Sequence, residues 1–145
     1  MDAQPLSDED FIAAFLECRL DAKCFDHRAH VRIAWLMLNR YPLEAAVERI
    51  CSGIARFATH VGARDTYNRT MSEALARLMA HGGAGSSAMT WDDFIHANPW
   101  LVSDIRGMLA RHYSTERLDS LDARQRFIAP DRLPLPECRA QSHLS

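Results

Sequence analysis

The sequence predicts an all-α fold, and three observations carry that prediction. Apolar residues recur at three- and four-residue spacing through most of the chain, and Ser, Thr or Asp stands before most such stretches where a helix start needs a cap. No segment alternates apolar and polar residues strictly between hairpin turns, so a sheet is not expected. The length of 145 residues suits one domain, which at that size buries roughly two-thirds of its unfolded surface without staples. The expected architecture is a single-domain irregular bundle of five to six main helices. Its core spans residues 7–129, and a Pro-rich extended arm occupies residues 130–145.

Each element has its own justification. Ser7 followed by Asp10 forms a capping-box pattern, and Phe11, Ala14, Phe15 and Cys18 place a first helix over about residues 8–19. A short connection leads to Asp26, the N-cap of a second helix that runs to about Asn39. That helix is apolar nearly all round, the mark of a central buried element. Tyr41-Pro42 ends it, and Pro42 opens a third helix with Leu43, Val47, Ile50, Ile54, Phe57, Ala58 and Val61 on one stripe. Gly53, Arg56 and His60 fall off the stripe, and Gly62 stops the helix.

A fourth helix starts between Asp65 and Tyr67 and reaches His81, with Tyr67, Met71, Ala74, Leu75 and Leu78 inward. Residues 81–89 carry three glycines, two serines and no apolar pattern, which predicts a flexible surface loop. Thr90 caps a short helix to Ala97, and Asn98-Pro99 turns the chain into another with the inner stripe Leu101, Ile105, Met108, Leu109 and His112. Ser114 and Ser120 cap two brief terminal helices.

Composition narrows the partners. With 17 basic and 19 acidic side chains the net charge of -2 gives no field that gathers nucleic acid or an anionic membrane, so neither partner is expected. The longest uninterrupted apolar run, Ile33 to Leu38, is far short of the roughly 18 residues that span a bilayer. Cys18, Cys24, Cys51 and Cys138 form no CxxC pair and read as reduced thiols, and the acidic start MDAQPLSDEDF has no signal-peptide pattern. A cytoplasmic protein is expected.

The residues most able to carry chemistry lie in FDHRAH. His27 and His30 are three positions apart, on one face of the second helix with Val31, Ala34 and Leu38, and are expected to face inward. In the first turn of a helix the dipole favours the neutral imidazole, which suits a general base or a metal ligand. Three readings stand: an acid/base or orienting pair, a metal pair needing a third ligand from elsewhere, and a pair of hydrogen-bonded structural histidines. A second group is TYNRTMS, residues 66–72, where Tyr67, Asn68 and Thr70 offer a phenol, a carboxamide and a hydroxyl near a helix start. The alternative there is that Thr66 or Thr70 caps the helix and Tyr67 packs. His112 closes the inner stripe of its helix and is either a ligand-binding or a capping histidine. Cys24, three residues before His27, is a weak thiolate candidate, His60 reads as a flank residue, and His81, His96 and His143 read as exposed.

The order FxHxxHxxxAW, a long amphipathic helix, Y-N/H-x-T, WxxFxxxNPxL and HYSxERL…ARxxF…P, from Phe11 to Pro134, resembles a family of small uncharacterised bacterial proteins. That resemblance implies an all-helical fold and no particular activity. In the family the second motif usually reads Y-H-x-T, which implies a third histidine beside His27 and His30. Asn68 stands at that position here, so a metal role is less expected for this chain.

Together these residues predict a small-molecule-binding protein. Its pocket would use a neutral His27 or His30 as the base for proton transfer, Tyr67 to orient the substrate or stabilise developing negative charge, and Asn68, Thr70 and His112 to hold the ligand. The alternatives are a helical scaffold or homodimer whose histidines form a structural polar network, and a metal-binding protein using His27 and His30.

Overall fold

Helix α1, Asp8–Leu16, begins where Ser7 Oγ accepts the Asp10 N–H at 3.1 Å, and three acidic residues complement the dipole of its first turn. It ends sooner than the apolar spacing predicts. Cys18 turns to the left-handed conformation, φ 56°, and the Arg19 and Cys18 N–H groups bond the carbonyls of Ala14 and Phe15 at 2.7 and 3.1 Å. That crossed pair is a Schellman termination, normally built on glycine. The computed structural model describes residues 7–21, 23, 27–86 and 89–136, so the expected cap Asp26 and the thiol Cys24 lie outside the described residues, as does His143.

Helices α2, His27–Arg40, and α3, Leu43–His60, form the centre. The run Ile33 to Leu38 on α2 is buried without a break, as the all-round apolar sequence predicts. Gly53 on α3 departs from expectation, because it is buried and the edge of Phe15 rests on it. A Cβ there would lie 2.6 Å from Phe15 Cε2, so the approach of α1 to α3 requires glycine. Beyond α3, Gly62 at φ 78° completes the same crossed pair as Cys18, with Ala63 N–H to Ala58 O at 2.7 Å.

A 3₁₀ turn, Arg64–Thr66, precedes α4, Arg69–His81. The helix starts later than expected because Asn68 is its N-cap, which leaves Tyr67 in extended backbone before the helix. Gly83, φ 118°, ends α4. The segment expected to be a flexible loop is in part docked: Ala84 is buried, and a Cβ on Gly85 would sit 3.0 Å from Leu38 O. Ser87 and Ala88 lie outside the described residues.

Helix α5, Trp91–Ala97, carries the full capping box of Thr90 and Asp93. Trp91 meets Trp35 of α2 edge to face and Phe94 lies tilted against it, with ring centroids 5.8 and 4.7 Å apart. The helix expected next is two, α6 Trp100–Ser103 and α7 Ile105–Ala110. Asp104, at φ -162° and ψ 63°, breaks them, and its Oδ1 accepts the Gly107 N–H at 2.9 Å to start α7. Helices α8, Thr115–Leu118, and α9, Leu121–Gln125, begin on Ser114 and Ser120 as expected.

Two apolar clusters result. The larger joins α1, α2, α3, α5 and Leu101, and the smaller joins Ala74, Leu78, Leu109, Tyr113, Leu118, Ala123 and Ile128. Helix α4 feeds both, and Trp100 and Ile105 pack against both. The start of the arm is irregular chain fastened to the body, with Leu135 packed against the smaller cluster. Its Arg132 and Leu133 N–H groups bond the carbonyls of His112 and Arg111 at 2.9 and 3.2 Å, and Asp131 accepts from Ser114 N–H and Oγ–H at 2.8 and 2.6 Å. Among the described residues no strand occurs, and no helix is long and apolar enough to cross a membrane.

Candidate functional site

The start of α2, the second half of α3, the 3₁₀ turn, the start of α4 and α7 enclose one cleft of about 480 Å³. That volume is within the range of about 300–1,000 Å³ common for small-molecule pockets. Its walls are mostly apolar, with Ile54, Phe57, Leu75 and Leu109 prominent. His27 and His30 reach it from α2, and Tyr67, Asn68 and Ser72 from the chain around the α4 start. The two motifs singled out in the sequence therefore line the same space.

Each polar side chain is held in a way that limits what it can do. His27 is exposed rather than core-facing, and in the first turn of α2 it is Ala29 that joins the larger apolar cluster. Its Nε2–H donates to Leu101 O at 3.2 Å, a carbonyl in a four-residue helix too short to satisfy it internally. A carbonyl only accepts, so the neutral ring carries its proton on Nε2 and keeps a lone pair on Nδ1. His30, one turn further along, is half-buried.

Tyr67 donates its hydroxyl to Cys51 O at 3.1 Å in the middle of α3. Burial, reinforced by the neighbouring Cys51 thiol, pushes the phenol far above its ordinary range, so it stays protonated. With its proton committed it presents lone pairs, and stabilising a developing anion, the role predicted for it, would need that bond broken. Asn68 is also committed at both ends of its amide: Oδ1 accepts the Met71 N–H at 2.9 Å, and Nδ2–H donates to Leu118 O at 2.7 Å. One Nδ2–H remains.

Two residues predicted to hold a ligand are placed away from the cleft. Thr70 is fully buried, donates to Arg126 O at 2.8 Å and accepts from Ile128 N–H at 3.1 Å, which staples α4 to the chain after α9. His112 is 7% exposed, and its Nδ1–H donates to Leu133 O at 3.1 Å, fastening the arm. Both corrections have one cause: a buried polar group takes the nearest backbone partner it can find. His81 and His96 are exposed, as the sequence suggests, and so is His60.

Two features escaped the sequence reading. Ser72 lies in the quoted motif but was given no role, although its half-buried hydroxyl lines the cleft and has no partner among the described residues. Glu73 is buried between Arg69 and Arg77, which donate to its two oxygens at 2.8 to 3.0 Å, while Glu48 and Glu44 on α3 hold the outer sides of the same arginines. The spacing of Arg69, Glu73 and Arg77 at i, i+4 and i+8, facing Glu44 and Glu48 at i, i+4, was the available signal. With four N–H donors on its carboxylate, Glu73 is a packing element and not a base.

Among the described residues no three His, Cys, Asp or Glu side chains gather where they could hold a metal ion. Comparison of the chain with models of protein families, with curated proteins and with solved structures gave no match.

Proposed function

We propose that the protein binds a small, mainly apolar molecule that carries a hydroxyl or another acidic proton, in the cleft between the FDHRAH and TYNRTMS motifs. The supporting observation is that His27, His30, Tyr67, Asn68 and Ser72 line one largely apolar space of about 480 Å³. The hydrogen-bonding inventory argues for that ligand chemistry. His27 Nδ1 and the Tyr67 oxygen offer lone pairs, and Ser72 and the spare Asn68 N–H offer donors. In this reading His27 accepts a hydrogen bond or a proton from the ligand, with its ring oriented by Leu101 O. A cytoplasmic setting belongs to the proposal and fits the free thiols of Cys18 and Cys51. The resemblance to an uncharacterised bacterial family remains a proposal on the same motifs and adds no activity.

A second reading is favoured by a different observation. His27, Tyr67 and Asn68 each spend a bond on the backbone of another element, at Leu101, Cys51 and Leu118, which is how a polar network locks helix packing in a scaffold. One experiment separates the two: a thermal-shift screen of phenols and alkanols against the full chain and a His27→Ala, His30→Ala variant. The binding reading expects at least one compound to raise the melting temperature of the parent, and the variant to melt as the parent does without that response. A variant that melts early, with no compound stabilising the parent, supports the scaffold. Elemental analysis of protein purified without added metal checks the metal alternative; stoichiometric zinc, iron, nickel or copper would establish it.

A further inference from the structure

His27 also lines a second cavity, of about 210 Å³, between the start of α2 and helices α5 and α6. No other described residue is common to this slot and the cleft. Val31, Trp91, Ile95 and Leu101 give it apolar walls, and Arg28 and His27 are its charged or titratable members. The volume exceeds the roughly 150 Å³ of an apolar cavity that takes a benzene ring. One aromatic ring with a small substituent, or a short alkyl chain, fits such a space.

Arg28 supplies the specificity argument. On the same helix Arg32 pairs with Asp8 and Arg40 pairs with Glu9, but Arg28 makes no ion pair or hydrogen bond among the described residues. No carboxylate is found among the described residues lining the slot. The His27 Nε2–H is already given to Leu101 O, so the uncommitted side-chain donors of the lining residues are the Arg28 guanidinium and the Trp91 indole N–H, and of these only the guanidinium is charged. A guanidinium over an apolar slot matches a planar carboxylate on an apolar body, because its fork of N–H groups bonds both carboxylate oxygens at once.

We propose that this slot binds a small apolar carboxylate, an aryl or short-chain alkyl acid. The apolar body lies against Trp91, Ile95 and Val31, and the acid group is held by Arg28. This site is independent of the cleft reading and stands or falls without it.

The test titrates the full-length ¹⁵N-labelled chain with benzoate and, separately, with its neutral analogue benzyl alcohol. The indole N–H resonance of Trp91, assigned through Trp91→Phe, is the readout. Expected is saturable benzoate binding that shifts Trp91, weakened about tenfold or more by Arg28→Gln with benzyl alcohol unaffected. Val102, 61% exposed at the rim, provides a second variant. Val102→Asp adds a repelling carboxylate and should weaken benzoate alone. The proposal is overturned if benzoate leaves Trp91 unshifted, if Arg28→Gln binds benzoate as the parent does, or if the shifts gather at Tyr67 and Leu75 in the cleft instead.

Discussion

Three helices end on the same crossed pair of backbone hydrogen bonds, at Cys18, Gly62 and Gly83, and in each the residue in question has positive φ. A side chain in that conformation meets its own backbone at a cost of roughly 1 kcal/mol, which glycine avoids. Opposite substitutions should therefore have opposite signs. Cys18→Gly is expected to raise stability by about 0.5 kcal/mol, part of the gain being offset by the lost packing of a half-buried thiol. Gly62→Ala should lower it by about 1 kcal/mol, and since no atom lies within 4 Å of the added Cβ the loss is purely conformational. Urea denaturation midpoints read both, and an unchanged midpoint for Gly62→Ala would contradict the left-handed turn. Gly62 was legible as a stop because glycine announces this conformation. Cys18 was not, since nothing about a cysteine signals a helix end.

At the scale of elements, the start of α4 rests on one side chain. Asn68→Ala removes the cap and strands Leu118 O, so a loss of about 1–2 kcal/mol is expected from the cap alone. Asn68→Asp should recover part of it, because a carboxylate still caps Met71 N–H but cannot donate to Leu118. If the two variants melt alike, the cap contributes nothing; if Asn68→Asp melts as the parent does, the link to α8 contributes nothing. The α1–α3 contact makes a parallel case. Gly53→Ala gains helix propensity of about 1 kcal/mol yet drives a methyl into the fully buried Phe15 ring, and overpacking of this kind costs typically 1–3 kcal/mol, so the net is expected to be destabilising.

These elements also show why sequence reading succeeds unevenly. Caps such as Ser7, Thr90, Ser114 and Ser120 act within three residues of themselves, so local sequence suffices to find them. The break at Asp104 uses the same local device, but an unbroken apolar stripe from Leu101 to Leu109 hid it. Gly53, Thr70 and His112 are set by partners 38, 58 and 21 residues away, at Phe15, Ile128 and Leu133, and such pairings leave no local pattern. The two motifs of the cleft were visible as motifs. The commitment of their polar atoms to the backbone was not.

For the whole molecule, pH dependence follows from groups spread over both clusters. Burial pushes the Cys51 thiol up to about 11 and the Tyr113 phenol up to about 12, and Tyr67 higher still. A raised value means that the folded protein keeps protons which the unfolded chain gives up. Stability is then complete below the ordinary values of 9.0 for the thiol and 10.0 for the phenols, and falls as pH rises beyond them. Melting temperatures measured across that range should decline, and Tyr67→Phe should flatten the decline; an equally steep fall in the variant would remove Tyr67 from the account. The acid side has the opposite sign. Bonds from Ser114 hold the Asp131 carboxyl below its ordinary 3.8, so its contribution is present above that value and is lost as pH falls through the depressed one. Because it fastens the arm, hydrogen exchange at the Arg132 and Leu133 amides should quicken there first. Asp131→Asn should show the quickened exchange already at neutral pH.

The staple from Thr70 to Ile128 bears on the order in which the protein assembles as it is made. The buried residues of the larger cluster end at Leu101, so those members are all made before the last 44 residues of the chain. Those of the smaller one are not, because Ile128 completes it and satisfies the buried hydroxyl of Thr70. Until that residue leaves the ribosome, the Ala74 and Leu78 face of α4 stays open to water and to other chains. The last strap to arrive is what turns a sticky intermediate into a finished surface.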